Sequence, residues 1–235
     1  MATISDNLQR VRNRIALACA RAGRDPASVQ LLAVSKTFDA DAVQAAHAAG
    51  QRAFGENYVQ EGVGKIQALR AVGLPGLVWH CIGPLQSNKT RPVAEHFDWV
   101  HTVDRLKIAQ RLSEQRPAHL APLQVCVQVN VDGGPNKSGV APAEALALAQ
   151  AVAALPRLRL RGLMCIPEPA PDVAAACAVL GRARALFDDL VATGLPLDTL
   201  SMGMSDDLEA AVASGSTMVR VGSAIFGRRV YPDAA

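Results

Sequence analysis

Aromatic side chains are scarce in this chain, 4% of 235 residues, and no run of like charge interrupts it. Single-stranded nucleic acid is held by stacked rings along a basic groove, and duplex binding requires clustered cations. The Lys and Arg residues are scattered and the net charge is only +3. Nucleic-acid binding is therefore disfavoured, whereas a small phosphorylated ligand is not. No apolar stretch approaches the ~20 residues of a membrane span. The opening Met1-Ala2-Thr3-Ile4-Ser5-Asp6 is polar and lacks the apolar core of a signal peptide. A cytoplasmic protein with no membrane partner is expected.

Paired cysteines are also missing. The five, Cys19, Cys81, Cys126, Cys165 and Cys177, are odd in number and form no C-x-x-C pair. Cys81, Cys126 and Cys165 lie within apolar, strand-like runs, so they read as buried reduced thiols rather than a disulfide framework or zinc site. His96, His101 and His119 lack metal-ligand spacing, and no metal is expected. Asp206-Asp207-Leu208-Glu209 reads as an acidic helix start rather than a metal cluster.

No Ser/Gly-rich or Pro-rich linker divides the chain. Its length suits one (β/α)8 TIM-type barrel, and one unit over residues 1–235 is expected. Ile4, Leu8, Val11, Ile15 and Leu17 recur at helical spacing in an opening helix from Ser5 to Ala22. Short apolar strands then alternate with helices. The strands are expected at Leu31–Lys36, Ala53–Glu56, Leu77–Ile82, Trp99–Val103, Leu123–Val131, Leu160–Ile166, Thr199–Ser201 and Thr217–Val221. A closing helical turn spans Ser223–Phe226. Such alternation specifies parallel strands with right-handed crossovers, and their continuous apolar character fits burial on both faces. An open doubly wound sheet is the alternative, but no G-x-G-x-x-G follows the first strand.

In such barrels the chemistry gathers at the C-terminal ends of the strands. Lys36 follows Leu-Leu-Ala-Val and reads either as a desolvated lysine whose neutral amine forms a Schiff base or as a rim lysine snorkelling to water. Gly222-Ser223, before the last helical turn, and Ser201 with Gly203 suit an anion pocket; two ordinary glycine-containing loops would look the same. Arg220 faces the same side as Gly222 by strand alternation. Inside a barrel it needs an acceptor, either a ligand's ring nitrogen or a protein carboxylate. His80 reads as an acid or base, or as a hydrogen-bonded histidine beside a ligand. Trp79 and Trp99 read as packing.

The chain resembles the pyridoxal phosphate homeostasis protein family, whose barrel is similar to the N-terminal domain of alanine racemase. The resemblance is carried, in order, by Ala33-Val34-Ser35-Lys36-Thr37, Phe54-Gly55-Glu56-Asn57-Tyr58-Val59-Gln60-Glu61, Trp79-His80-Cys81-Ile82-Gly83-Pro84-Leu85-Gln86-Ser87-Asn88-Lys89, Asn136-Lys137-Ser138-Gly139, Arg161-Gly162-Leu163-Met164, Leu200-Ser201-Met202-Gly203-Met204-Ser205-Asp206-Asp207 and the segment from Gly215 to Gly227. It implies a fold type III-like barrel, without the C-terminal β domain of alanine racemase, that carries pyridoxal 5'-phosphate (PLP) as a Schiff base on Lys36. It also implies that Ser201, Gly222 and Ser223 hold the phosphate, that Arg220 meets the pyridine nitrogen and that Asn57 and His80 line the ring pocket. No catalytic residue is assigned: members are regarded as handling PLP for cellular homeostasis without established turnover.

Two features of the residues agree with that. A guanidinium only donates, so it leaves the ring nitrogen unprotonated and the ring a weaker electron sink. A two-base racemisation needs an acid or base on each substrate face; Lys36 supplies one, and neither Tyr58 nor Tyr231 is placed to supply the other. The expected partners are PLP and PLP-dependent apoenzymes that receive it, and the chain is expected to be a monomer. Lys137, in the loop after the fifth strand, is a lysine that could receive or pass on PLP, or simply a solvated loop lysine. The competing functions are a monomeric PLP-dependent amino-acid racemase and a cofactor-free Schiff-base aldolase.

Overall fold

The computed structural model describes residues 2–134 and 137–227. Asn136 and Tyr231 lie outside the described residues.

Eight parallel strands close into a barrel in sequential order. They are β1 (Gln30–Val34), β2 (Ala53–Glu56), β3 (Val78–Cys81), β4 (Trp99–Val103), β5 (Leu123–Gln128), β6 (Leu158–Met164), β7 (Thr199–Ser201) and β8 (Met218–Val221). The helices are α1 (Ile4–Arg21), α2 (Ala40–Ala48), α3 (Val59–Ala71), α4 (Thr90–His96), α5 (Leu106–Gln115), α6 (Ala145–Ala153), α7 (Val173–Ala192), α8 (Leu208–Ala213) and α9 (Ser223–Phe226). β1 pairs with β8, aligning Leu32 with Arg220, and that pairing removes both sheet edges.

Alternation sorts the strand residues into two sets. On β1, Ala33 joins the main core, which fills the layer between strands and helices. Leu32 and Val34 join a separate cluster with Ala53, Ile82 and Met218. Trp99, Cys126 and Met164 form another. These two small clusters are the barrel's interior filling, as expected where side chains of neighbouring strands meet in layers.

Local chemistry explains the element ends. Thr3 caps α1 in a reciprocal capping box with Asp6. Asp39 caps α2 and Asp172 caps α7, each accepting a backbone N–H three residues on. Strand and helix ends shift by a few residues from the sequence expectation, β6 for one running Leu158–Met164, and four details bear on the site. Leu17 is exposed, so the apolar stripe of α1 is narrower than its spacing suggested. β1 stops at Val34, leaving Lys36 two residues beyond it. β5 stops at Gln128, after which Val129 makes only an isolated bridge with Val140. α8 starts at Leu208, and the Asp207 carboxylate accepts the Met204 N–H instead of capping the helix.

All five cysteines are unpaired. Burial pushes the Cys81, Cys126 and Cys165 thiols up to about 12, which makes them inert packing groups. Among the described residues no helix is long and apolar enough to cross a membrane, and no cluster of His, Cys, Asp or Glu could hold a metal ion.

Candidate functional site

A cavity of about 270 Å³ opens at the C-terminal end of the barrel. It approaches the ~300 Å³ at which pockets for drug-sized molecules begin. Lys36, Asn57, Arg220, Gly222 and Ser223 line it, with Val34, Ile82, Ile166 and Met204 as apolar wall. Ser205 and Asp206 complete the lining; the sequence reading had not singled out either for the site. A larger hollow, about 380 Å³, lies at the opposite end. Its Arg12 and Arg52 already donate to the Ala49, His47 and Gln51 carbonyls. A third hollow, about 280 Å³, is rimmed by Glu168, Asp172, Asp206, Asp207 and Glu209 and does not suit an anion.

The segment carrying Lys36 is held on both sides. The Lys65 ammonium donates to the Ser35 carbonyl at 2.7 Å, to Glu56 at 2.8 Å and to Glu61 at 2.6 Å. The Ser35 hydroxyl donates to Glu56, and the Thr37 N–H donates to Glu61. Thr37 has φ +69°, a left-handed conformation that β-branched residues avoid, so this clamp fixes the turn that aims Lys36. Burial raises the Glu56 carboxyl above its ordinary range, opposed by Lys65 and Ser35.

Two glycines permit the close approaches around the mouth. A Cβ on Gly83 would stand 2.1 Å from the Asn57 carbonyl oxygen, so only glycine lets the loop after β3 back onto Asn57. Gly203, at φ +94°, would drive a Cβ to 2.3 Å from that of Ala211. The Asn57 side-chain oxygen is buried and has no hydrogen-bond partner among the described residues. Such an atom costs about 1–3 kcal/mol, which a ligand donor in the cavity would recover.

Arg220 is 4% exposed. It donates to the Ser201 hydroxyl at 2.8 Å and to the Cys165 carbonyl at 2.9 Å. Among the described residues no carboxylate pairs with it; its acceptors there are a hydroxyl and a carbonyl oxygen. Its burial works against its charge and lowers its pKa. Below it, Ser201 Oγ lies 3.0 Å from His101 Nδ1, and His101 Nε2 lies 2.9 Å from His80 Nδ1.

Ser201 and His80 thus differ from their expected places. Both are fully buried and neither lines the cavity. Ser201 ends β7 inside the barrel, where Arg220 and His101 engage its hydroxyl; Ser205, four residues on, joins Ser223 at the cavity wall. His80 stacks on Trp99 with ring centroids 5.1 Å apart. His101, set aside in the sequence as lacking metal spacing, joins this group because two adjacent strands turn His80 and His101 inward. Lys137 does not line the cavity; from behind its wall it donates to the Ile166 carbonyl at 2.8 Å and pairs with Asp132 and Glu168.

The residues at the wall fit a small phosphorylated heterocycle. The first N–H groups of α9, at Ser223 and Ala224, have no acceptor within their own helix. Lysine, arginine and an unsatisfied amide converge with them on one mixed polar and apolar space.

The alanine racemase N-terminal domain family matches residues 7–230. The pyridoxal phosphate homeostasis protein of Pseudomonas aeruginosa is 63% identical over 231 residues, covering 98% of both chains. That of Escherichia coli K12 is 56% identical over 231 residues, covering 98% of this chain and 99% of the relative. Among solved structures, PipY of Synechococcus elongatus with PLP bound is 40% identical, with a TM-score of 0.82, covering 96% of this chain and all of PipY. Alanine racemase of Clostridium difficile, 19% identical with a TM-score of 0.74, shares the fold over 97% of this chain and 58% of its own. The chain therefore belongs to the alanine racemase N-terminal domain family and, within it, to the pyridoxal phosphate homeostasis proteins.

Proposed function

We propose that this chain binds PLP as a Schiff base on Lys36 and serves intracellular PLP homeostasis and carriage rather than catalytic turnover. The carrying observation is the convergence of Lys36, Asn57, Arg220, Gly222 and Ser223 on one cavity at the barrel mouth. In this reading Lys36 supplies the amine, Arg220 donates toward the pyridine nitrogen and Asn57 borders the ring. Gly222 and Ser223, joined by Ser205, offer donors to the phosphate. When bound, PLP supplies an electrophilic aldehyde and an electron sink. A donor-only guanidinium at the ring nitrogen keeps that sink weak.

PLP-dependent apoenzymes are the proposed recipients. The 235 residues act as one monomeric unit in the cytoplasm, a compartment in keeping with four buried, unpaired thiols.

The test is absorbance of the purified protein with and without borohydride, followed by peptide mass mapping. A PLP Schiff base absorbs in the visible, unlike the imine of a cofactor-free aldolase. Lys36→Ala should abolish both the yellow colour and the pyridoxyl label, while Lys89→Ala keeps them. A label found only on another lysine overturns the assignment.

A further inference from the structure

Arg220, Ser201, His101 and His80 form one continuous hydrogen-bonded chain across the barrel interior, with links of 2.8, 3.0 and 2.9 Å. Every member is buried. The chain starts at a group that can only donate, and this sets the direction of every bond after it.

The guanidinium gives a proton to Ser201 Oγ. The serine's own hydrogen then has one place to go, His101 Nδ1, which must be bare. A neutral His101 carries its proton on Nε2 and donates it to His80 Nδ1, which must also be bare. His80 then carries its proton on Nε2, the one ring nitrogen of the chain with no partner among the described residues. The reverse arrangement would have Ser201 accept from both Arg220 and His101. That would leave the buried serine hydrogen without an acceptor and a bare, unpartnered nitrogen on His80: two unsatisfied groups instead of one, and each costs stability. A charged imidazole breaks the chain at Ser201, and the neighbouring guanidinium repels it.

We propose that Ser201, His101 and His80 are positioning residues that lock the Arg220 guanidinium at the cavity floor, with both imidazoles neutral and protonated on Nε2. Ser201 serves the arginine and not an anion. Two of the arginine's N–H groups are spent on Ser201 and the Cys165 carbonyl, and the remaining edge faces the ligand. The inference rests on the PLP reading only for what Arg220 meets; the chain itself is a property of the protein without ligand.

The first measurement therefore uses the ligand-free protein. Long-range proton–nitrogen NMR of its imidazoles at pH 7, assigned with His80→Gln and His101→Gln variants, should show His80 and His101 both as neutral Nε2–H tautomers. An Nδ1–H tautomer or an imidazolium at either position overturns the proposal. The second measurement compares PLP with pyridoxal, which lacks the phosphate. Ser201→Ala should weaken both vitamers by the same factor, about 2- to 10-fold for one lost hydrogen bond, and shift the absorbance maximum of the bound cofactor. Ser201→Thr, which keeps the hydroxyl, should restore both. A loss confined to PLP would make Ser201 a phosphate ligand and overturn the proposal. If the wild-type protein binds neither vitamer, the PLP reading fails by itself, and the tautomers decide the chain.

Discussion

At the cavity wall few side chains can move a proton. Lys36 is half-buried, Arg220 only donates, and Asp206 stands exposed at the mouth. Racemisation needs a base on one substrate face and an acid on the other. The proposed function gives Asp206 no part in such a pair. Deuterium exchange at the α-carbon of alanine, followed by NMR, should stay well below the ~1 per second at the low end of ordinary turnover, and Asp206→Asn should leave it unchanged. Sustained exchange at ~1–10³ per second that Asp206→Asn abolishes would make this a racemase. Lys36, Asn57, Arg220, Gly222 and Ser223 could be read from the sequence because each sits at or just beyond a strand end. Depth could not be read in the same way. Ser201 and Ser205 look alike along the chain, but the first ends β7 inside the barrel and the second lies in the loop that reaches the wall.

Among the elements, the junction of β1, β2 and α3 holds a buried ion pair. Glu56 is fully buried and Lys65 is 7% exposed, and their ion pair is 2.8 Å long. Breaking such a pair from one side strands a charge, at a cost of about 3–5 kcal/mol, whereas removing both partners costs far less. Lys65→Met should accordingly lower the urea-unfolding free energy by several kcal/mol and loosen the turn at Thr37, weakening PLP binding. Adding Glu56→Gln should recover much of the stability. A single-variant loss under about 1 kcal/mol would show that packing, not the ion pair, holds this junction. The sequence showed the strand and helix but not this clamp. Lys65 occupies a helix position where a lysine usually faces water; Glu61 is one turn away, but its buried partners Glu56 and Ser35 lie 9 and 30 residues away in the chain, so only the closed fold brings those together.

Across the whole molecule, the eight apolar strands and their helices were legible because their periodicities are local. The level of one strand against the next was not. That His80 aligns with Trp99, and so meets His101, depends on register, which a two-residue period leaves open. This register buries two imidazoles and makes stability depend on pH. Burial lowers His80 to about 3, and burial with the charge of Arg220 and the proximity of His80 lowers His101 well below its ordinary 6.5. Below pH 6.5 the unfolded chain takes up protons at both positions while the native protein takes up none. Stability is therefore fully present above pH 6.5 and is lost as the pH falls toward 3, at about 1.4 kcal/mol per pH unit for each imidazole. Urea unfolding should give a wild-type free energy about 2.5 kcal/mol lower at pH 5.5 than at pH 7, after integrating that slope for two groups with an unfolded pKa near 6.5. In His80→Gln the fall should be about half as large. Glu56, raised by burial, acts in the opposite sense but equally in both proteins, so the difference between them isolates the histidine. Equal falls in wild type and variant would mean that His80 takes up its proton as readily in the native barrel as in the unfolded chain.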